Sequence, residues 1–133
     1  MKRIRIKNEP KNIKATSAKI IGFLRKQKRG LPEDVLFDIK LCIEEALRNA
    51  MIHGNRSDGK KPVDISYDII DNRFIISIED QGKGFDASNL PDPTKGRNLA
   101  REGGRGVYLM YRLMDKVCYN DRGNCVTMEK ALL

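Results

Sequence analysis

The chain has three cysteines, a single histidine and no apolar run approaching the roughly 18 residues that cross a membrane. Each scarcity closes a class of explanation. Cys42, Cys118 and Cys125 are odd in number and widely spaced, with no Cys-x-x-Cys pair. They support neither a disulfide framework nor a zinc site and read as reduced, partly buried small apolar side chains. The basic start Met1-Lys2-Arg3-Ile4-Arg5 lacks the apolar stretch and small-residue cleavage site of a signal peptide, so a cytoplasmic protein without a membrane segment is expected. The Gly-x-x-x-x-Gly-Lys-[Ser/Thr] phosphate loop is absent, as are internal repeats and low-complexity tracts.

What is present is the composition of one soluble domain, residues 1–133, with 40% hydrophobic and 33% charged residues. A chain of this size buries about two thirds of the surface its unfolded form exposes, enough for one core. Lys and Arg number 26 against 18 acids, for a net charge of +8, which favours an acidic partner. The positive charges are dispersed over Lys2 to Arg5, Lys19 to Arg29, Lys60-Lys61 and Lys95 to Arg105, with no recognition-helix motif or aromatic-basic platform. Contact with an acidic protein or a polyphosphate is therefore preferred to direct binding of nucleic acid.

The organising stretch is Leu36 to Asn55. At the helical period Leu36, Ile39, Ile43, Ala46, Leu47 and Ala50 form one apolar face, while Glu45 and Asn49, four apart, project together from its border. His53 is expected to continue that row, and Gly54 to supply a left-handed stop. By itself this describes either a cleft wall or an amphipathic helix with a solvated edge.

Around it the elements follow in order. Ile4 and Ile6 alternate with Arg3, Arg5 and Lys7 as a short edge strand. Lys11 to about Arg29 carries Ile13, Ser17, Ile20, Ile21 and Leu24 at helical spacing and closes at Gly30, and Pro32-Glu33-Asp34 starts the key helix. Val63, Ile65 and Tyr67, then Phe74, Ile76 and Ile78, alternate on either side of Asp71-Asn72 as an antiparallel hairpin. The second strand runs into Asp80-Gln81-Gly82-Lys83-Gly84-Phe85. An aperiodic stretch from Asp86 to Gly103 is long enough to suggest a lid. Gly103-Gly104-Arg105-Gly106 opens a helix with Val107, Met110 and Met114 inward and Leu109 and Leu113 on a neighbouring row. Lys116 to Asn120 and Asn124 to Met128 form a closing hairpin around Asp121-Arg122-Gly123, which would set Cys118 beside Cys125 if the turn is tight.

Three boxes then stand in sequence: Glu45-x-x-x-Asn49, Asp80-x-Gly82-x-Gly84-Phe85, and Gly104-Arg105-Gly106 at a helix start. An acid followed by paired glycines at a strand end lets backbone approach a planar ligand, with the Asp80 carboxylate accepting from an exocyclic amine such as that of adenine. A glycine-rich helix start offers unpaired N–H groups to phosphate. The Asn49 carboxamide oxygen suits Mg²⁺ completed by phosphates and water, and Glu45 one turn away can take a proton from an attacking hydroxyl. Lys83, Arg101 and Arg105 could touch phosphates or remain solvated.

In this order the boxes resemble the ATP site of the GHKL superfamily, which includes gyrase, histidine kinases and mismatch-repair ATPases. The closer resemblance, over nearly the whole chain, is to the anti-sigma factor serine kinases of bacteria. It is carried by Glu44-Glu45-Ala46-Leu47-Arg48-Asn49-Ala50-Met51-Ile52-His53-Gly54, by Arg101-Glu102-Gly103-Gly104-Arg105-Gly106-Val107-Tyr108-Leu109-Met110 and by Leu113-Met114-Asp115. The resemblance implies an α+β fold, a two-layer α/β sandwich with about three helices on one face of a mixed, mainly antiparallel sheet, usually a homodimer. It implies Glu45 as general base, Asn49 as Mg²⁺ ligand, Asp80 as adenine anchor, Gly82, Gly84 and Phe85 around the base, and Arg101, Gly103, Gly104, Arg105, Gly106 and Val107 at the phosphates, under a lid from about Ala87 to Gly103. His53 falls within the first box and is counted with the nucleotide-binding residues, though its expected role is structural.

The implied activity is that of an ATP- and Mg²⁺-dependent protein serine kinase that sequesters a sigma factor and phosphorylates a serine on a STAS-type antagonist. A nucleotide-gated binding module with vestigial transfer is the alternative. No phosphoacceptor-histidine helix precedes the boxes, and the sole histidine lies inside the first, which disfavours a histidine-kinase catalytic fragment.

Overall fold

The computed structural model describes residues 1–83 and 104–132. Five strands form one sheet: β1 (Lys2–Ile6), β2 (Val63–Ile70), β3 (Arg73–Glu79), β4 (Lys116–Tyr119) and β5 (Cys125–Ala131), in the order β1-β2-β3-β5-β4. All four described pairings are antiparallel. The helices α1 (Lys11–Gln27), α2 (Glu33–Asn49) and α3 (Gly104–Leu113) complete the two-layer arrangement.

Alternation along the strands decides which face of the sheet carries the helices. Val63, Ile65 and Tyr67 of β2, Phe74, Ile76 and Ile78 of β3, and Val126 and Met128 of β5 are all buried, and they join Ile20, Leu24, Ile39, Ile43, Leu47 and Met110 from the helices in one core. The intervening Ser66, Ser77 and Thr127 sit on the opposite, half-exposed face, where the Ser77 and Thr127 hydroxyls are hydrogen-bonded at 2.8 Å. The β2–β3 turn has φ of +50° at Asp71 and +64° at Asn72, the mirror-image turn whose twist matches a hairpin. β1 is the edge strand that its short polar alternation predicts, tied to β2 by the paired Arg5 guanidinium and Asp64 carboxylate.

The first two helices pack through a polar seam as well as an apolar one. Ser17 is fully buried in the face that its spacing assigns to the core, and its hydroxyl lies 2.6 Å from Glu44 Oε2 of α2. Phe23 meets Tyr67 edge-on, 5.1 Å between ring centres, and so seats α1 on the sheet. α2 and α3 run in opposite directions, with the Cys42 thiol facing the Leu109 carbonyl at 3.9 Å. Burial pushes the pKa of that thiol up to about 12.

Two expectations are corrected. The α-helix ends at Asn49 and continues as a π-helical turn over Ala50–Gly54, with Asn55 N–H donating to the Ala50 carbonyl. Gly54 has no left-handed backbone; that conformation belongs to Arg56 (φ +52°) and Ser57 (φ +59°). The second concerns the closing hairpin, whose turn is longer than a tight one. Cys118 therefore stands opposite Thr127 rather than Cys125, and it is exposed rather than partly buried.

Candidate functional site

The π-helical turn widens the end of α2 and sends the chain back toward the end of β3, so that Gly54 lies against Asp80. A β-carbon at Gly54 would overlap the Asp80 carboxylate, and one at Gly82 would overlap the Gly54 carbonyl. These glycines are required by close approach, not by a turn. Asp80 is 7% exposed, and its Oδ1 accepts the Gly82 N–H at 2.8 Å. Burial raises its pKa above the ordinary aspartate value, opposed by the Gly82 hydrogen bond; Glu79 adds to the rise, while Lys61 and Arg122 work against it.

The first and third boxes also meet. A β-carbon at Gly106 would stand 2.5 Å from Glu45 Oε2 and 3.7 Å from Asn49 Nδ2. The glycine-rich first turn of α3 is thus laid directly over the Glu45–Asn49 edge of α2. Glu45 Oε1 is 2.5 Å from Arg48 Nη1. Asn49 Nδ2 is buried with no hydrogen-bond partner among the described residues, an uncommon and costly condition for an amide.

One end of α2 therefore gathers Glu45, Asn49, Gly54, Asp80, Gly82 and Gly106, residues drawn from all three boxes. His53 is in the π-helical turn and exposed, and Val107 is partly buried against the core. Gly104 is the first residue of α3. Gly84, Phe85, Arg101, Gly103, the Arg105 side chain and the expected lid lie outside the described residues.

Two asparagines that sequence reasoning passed over hold this geometry. Asn55 is completely buried; its Oδ1 accepts the Gln81 N–H at 2.7 Å, and its Nδ2 donates to the Lys61 and Pro62 carbonyls at 3.0 and 3.1 Å. Asn124 clasps Asp80 from the other side, its carbonyl accepting the Asp80 N–H at 2.9 Å and its Nδ2 donating to the Asp80 carbonyl at 3.1 Å. Arg122, beside it, donates to the Gly82 carbonyl at 3.3 Å. In sequence both asparagines look like ordinary loop residues, next to Gly54 and Gly123, and only the fold supplies their partners.

The donor set fits a magnesium nucleotide on grounds internal to the structure: a buried amide nitrogen at Asn49 with no partner among the described residues, the Gly106 backbone set against Glu45 where a β-carbon would collide with the carboxylate, and a buried carboxylate at Asp80 beside the side-chain-free backbone of Gly54 and Gly82. An asparagine amide presents oxygen or nitrogen on turning over, so the same side chain can offer a metal its oxygen.

Comparison with known proteins agrees. The family model of the histidine kinase-like ATPase domain matches residues 6–130. The chain is 34% identical over 115 residues to the serine-protein kinase RsbW of Bacillus licheniformis, covering 79% of this chain and 70% of that one. It is 32% identical over 110 residues to RsbW of Bacillus subtilis, covering 77% and 69%, and 33% identical over 109 residues to RsbW of Staphylococcus epidermidis, covering 76% and 69%. The fold is also that of a crystal structure of RsbU and RsbW domains from Mycobacterium tuberculosis, with a TM-score of 0.64 at 15% identity; the match covers 98% of this chain and 32% of that longer one. The chain therefore belongs to the histidine kinase-like ATPase family of the GHKL superfamily, within its RsbW-like anti-sigma factor kinases.

Proposed function

We propose that this protein is an ATP- and Mg²⁺-dependent protein serine kinase that also sequesters a sigma factor, its phosphoryl acceptor being a serine of a STAS-type antagonist, and that it works as a homodimer. The observation that carries the reading is the convergence of Glu45, Asn49 and Gly106 with Asp80, Gly54 and Gly82 at one end of α2.

In this reading Asp80 accepts a hydrogen bond from the adenine amine, while Gly54 and Gly82 let the backbone close up around its carboxylate and hold it in place. The first turn of α3 directs its unpaired N–H groups and dipole at the phosphates. Asn49 supplies one oxygen to the magnesium. When bound, the magnesium nucleotide supplies the transferable phosphoryl group and neutralises charge as it moves. The protein's own contribution is placement: Glu45 Oε2, facing the start of α3, accepts the proton of the serine hydroxyl as that oxygen attacks.

Replacing Glu45 by Gln keeps the shape and removes the base. Transfer of labelled phosphate to a purified STAS-type antagonist should be lost in Glu45→Gln while ATP affinity is kept. Equal transfer by the two proteins would remove Glu45 from the mechanism.

A further inference from the structure

Glu45 is held from two directions. Its Oε2 faces the glycine start of α3, and its Oε1 is engaged by Arg48 at 2.5 Å. The side chains of Arg48 and Glu45 are 44% and 22% exposed, so the pair stands at the rim of the site rather than in the core. Exposed i,i+3 pairs contribute little to folding, and stability gives a poor reason for a guanidinium at this position. The charge balance gives a better one. A carboxylate turned toward a phosphate site repels the terminal phosphate unless a cation offsets it, and at such a rim screening by solvent is incomplete.

We infer that Arg48 is a positioning residue of the phosphate site: it occupies Glu45 Oε1, leaves Oε2 turned toward Gly106, and offsets the carboxylate charge where the third phosphate of a triphosphate would lie. The inference rests on the nucleotide-binding reading. Arg48 should then matter for a triphosphate and hardly at all for a diphosphate, which leaves that position empty. A residue that only stabilised α2 would affect both alike.

The test is calorimetric titration of MgADP and of a magnesium complex of a non-hydrolysable ATP analogue into the wild type, Arg48→Ala, Arg48→Lys, Glu45→Gln and the double variant Arg48→Ala/Glu45→Gln. Arg48→Ala should weaken the triphosphate about fivefold or more and leave MgADP within about twofold, Arg48→Lys should restore most of the loss, and the double variant should bind the triphosphate more tightly than Arg48→Ala, because the unopposed carboxylate is gone. An unchanged triphosphate-to-diphosphate ratio in Arg48→Ala, or a double variant that binds the triphosphate no more tightly than Arg48→Ala, would overturn the role of Arg48 alone. A wild type that binds neither nucleotide would overturn the nucleotide reading itself.

Discussion

Gly54 and Asp80, 26 positions apart in sequence, are packed so closely that no β-carbon can stand between the backbone of one and the carboxylate of the other. The contact joins the end of α2 to the end of β3 and makes the glycine of the first box part of the second. Substitution there strikes both structure and site. Gly54→Ala must displace the Asp80 carboxylate, at a cost of about 1–3 kcal/mol as for other overpacked sites. Urea unfolding should show that loss, and adenine nucleotide affinity should fall with it.

The ionised Asp80 carries a stability cost, because its folded-state pKa lies above its unfolded one. The native state then binds more protons than the unfolded state between the two values, so stability falls as pH rises through that window, and the cost is absent below the ordinary value of 3.8. Asp80→Asn keeps an oxygen for the Gly82 N–H and removes the buried charge. It should be as stable as the wild type or more so at pH 7, lose that advantage on acidification to the unfolded pKa, and fail to bind adenine nucleotide. Thermal melts across pH beside a titration would show whether stability and binding part in this way.

Asn55 is the strongest single polar tie in the described site. Asn55→Ala would orphan the Gln81 N–H and the Lys61 and Pro62 carbonyls at once. The three bonds are part-buried, so each group left unsatisfied should cost near the lower end of about 1–3 kcal/mol, and a loss on the order of 3 kcal/mol is expected from denaturant unfolding. Arg25→Ala breaks only an exposed ion pair with Glu33 and should change stability by less than about 1 kcal/mol.

Asn49 should behave in the opposite way. Its Nδ2 is buried with no partner among the described residues, so Asn49→Ala removes an unsatisfied donor and is expected to leave the melting temperature unchanged or slightly raised. Nucleotide affinity should lose its dependence on magnesium, seen as the same titration curve with the metal and with chelator. A steep loss of stability would show that Asn49 is there to hold the fold.

The hairpins, the inward faces of the helices and the three boxes were legible because each depends on local periodicity or on a short chemical pattern. Ser17, Tyr67 and Met110 are buried where spacing puts them. The π-helical turn was not legible, since nothing in Ala50 to Gly54 departs from a helix-forming pattern until Gly54, where the turn ends packed against the distant Asp80. The same holds for the purpose of Gly54: sequence suggests a left-handed stop, but the need is for space. Asn55 and Asn124 were invisible as site residues because their partners come from distant segments. The opposition of Cys118 to Thr127 follows from a turn length that Asp121-Arg122-Gly123 alone does not specify.

The account depends most on a nucleotide seated between α2 and the end of β3, and isothermal titration of the intact protein with MgATP tests this directly. The prediction is one saturable site in the wild type and no heat of binding in Asp80→Asn at the same folded concentration. Absence of binding by the wild type at millimolar MgATP, or undiminished binding by Asp80→Asn, would contradict it.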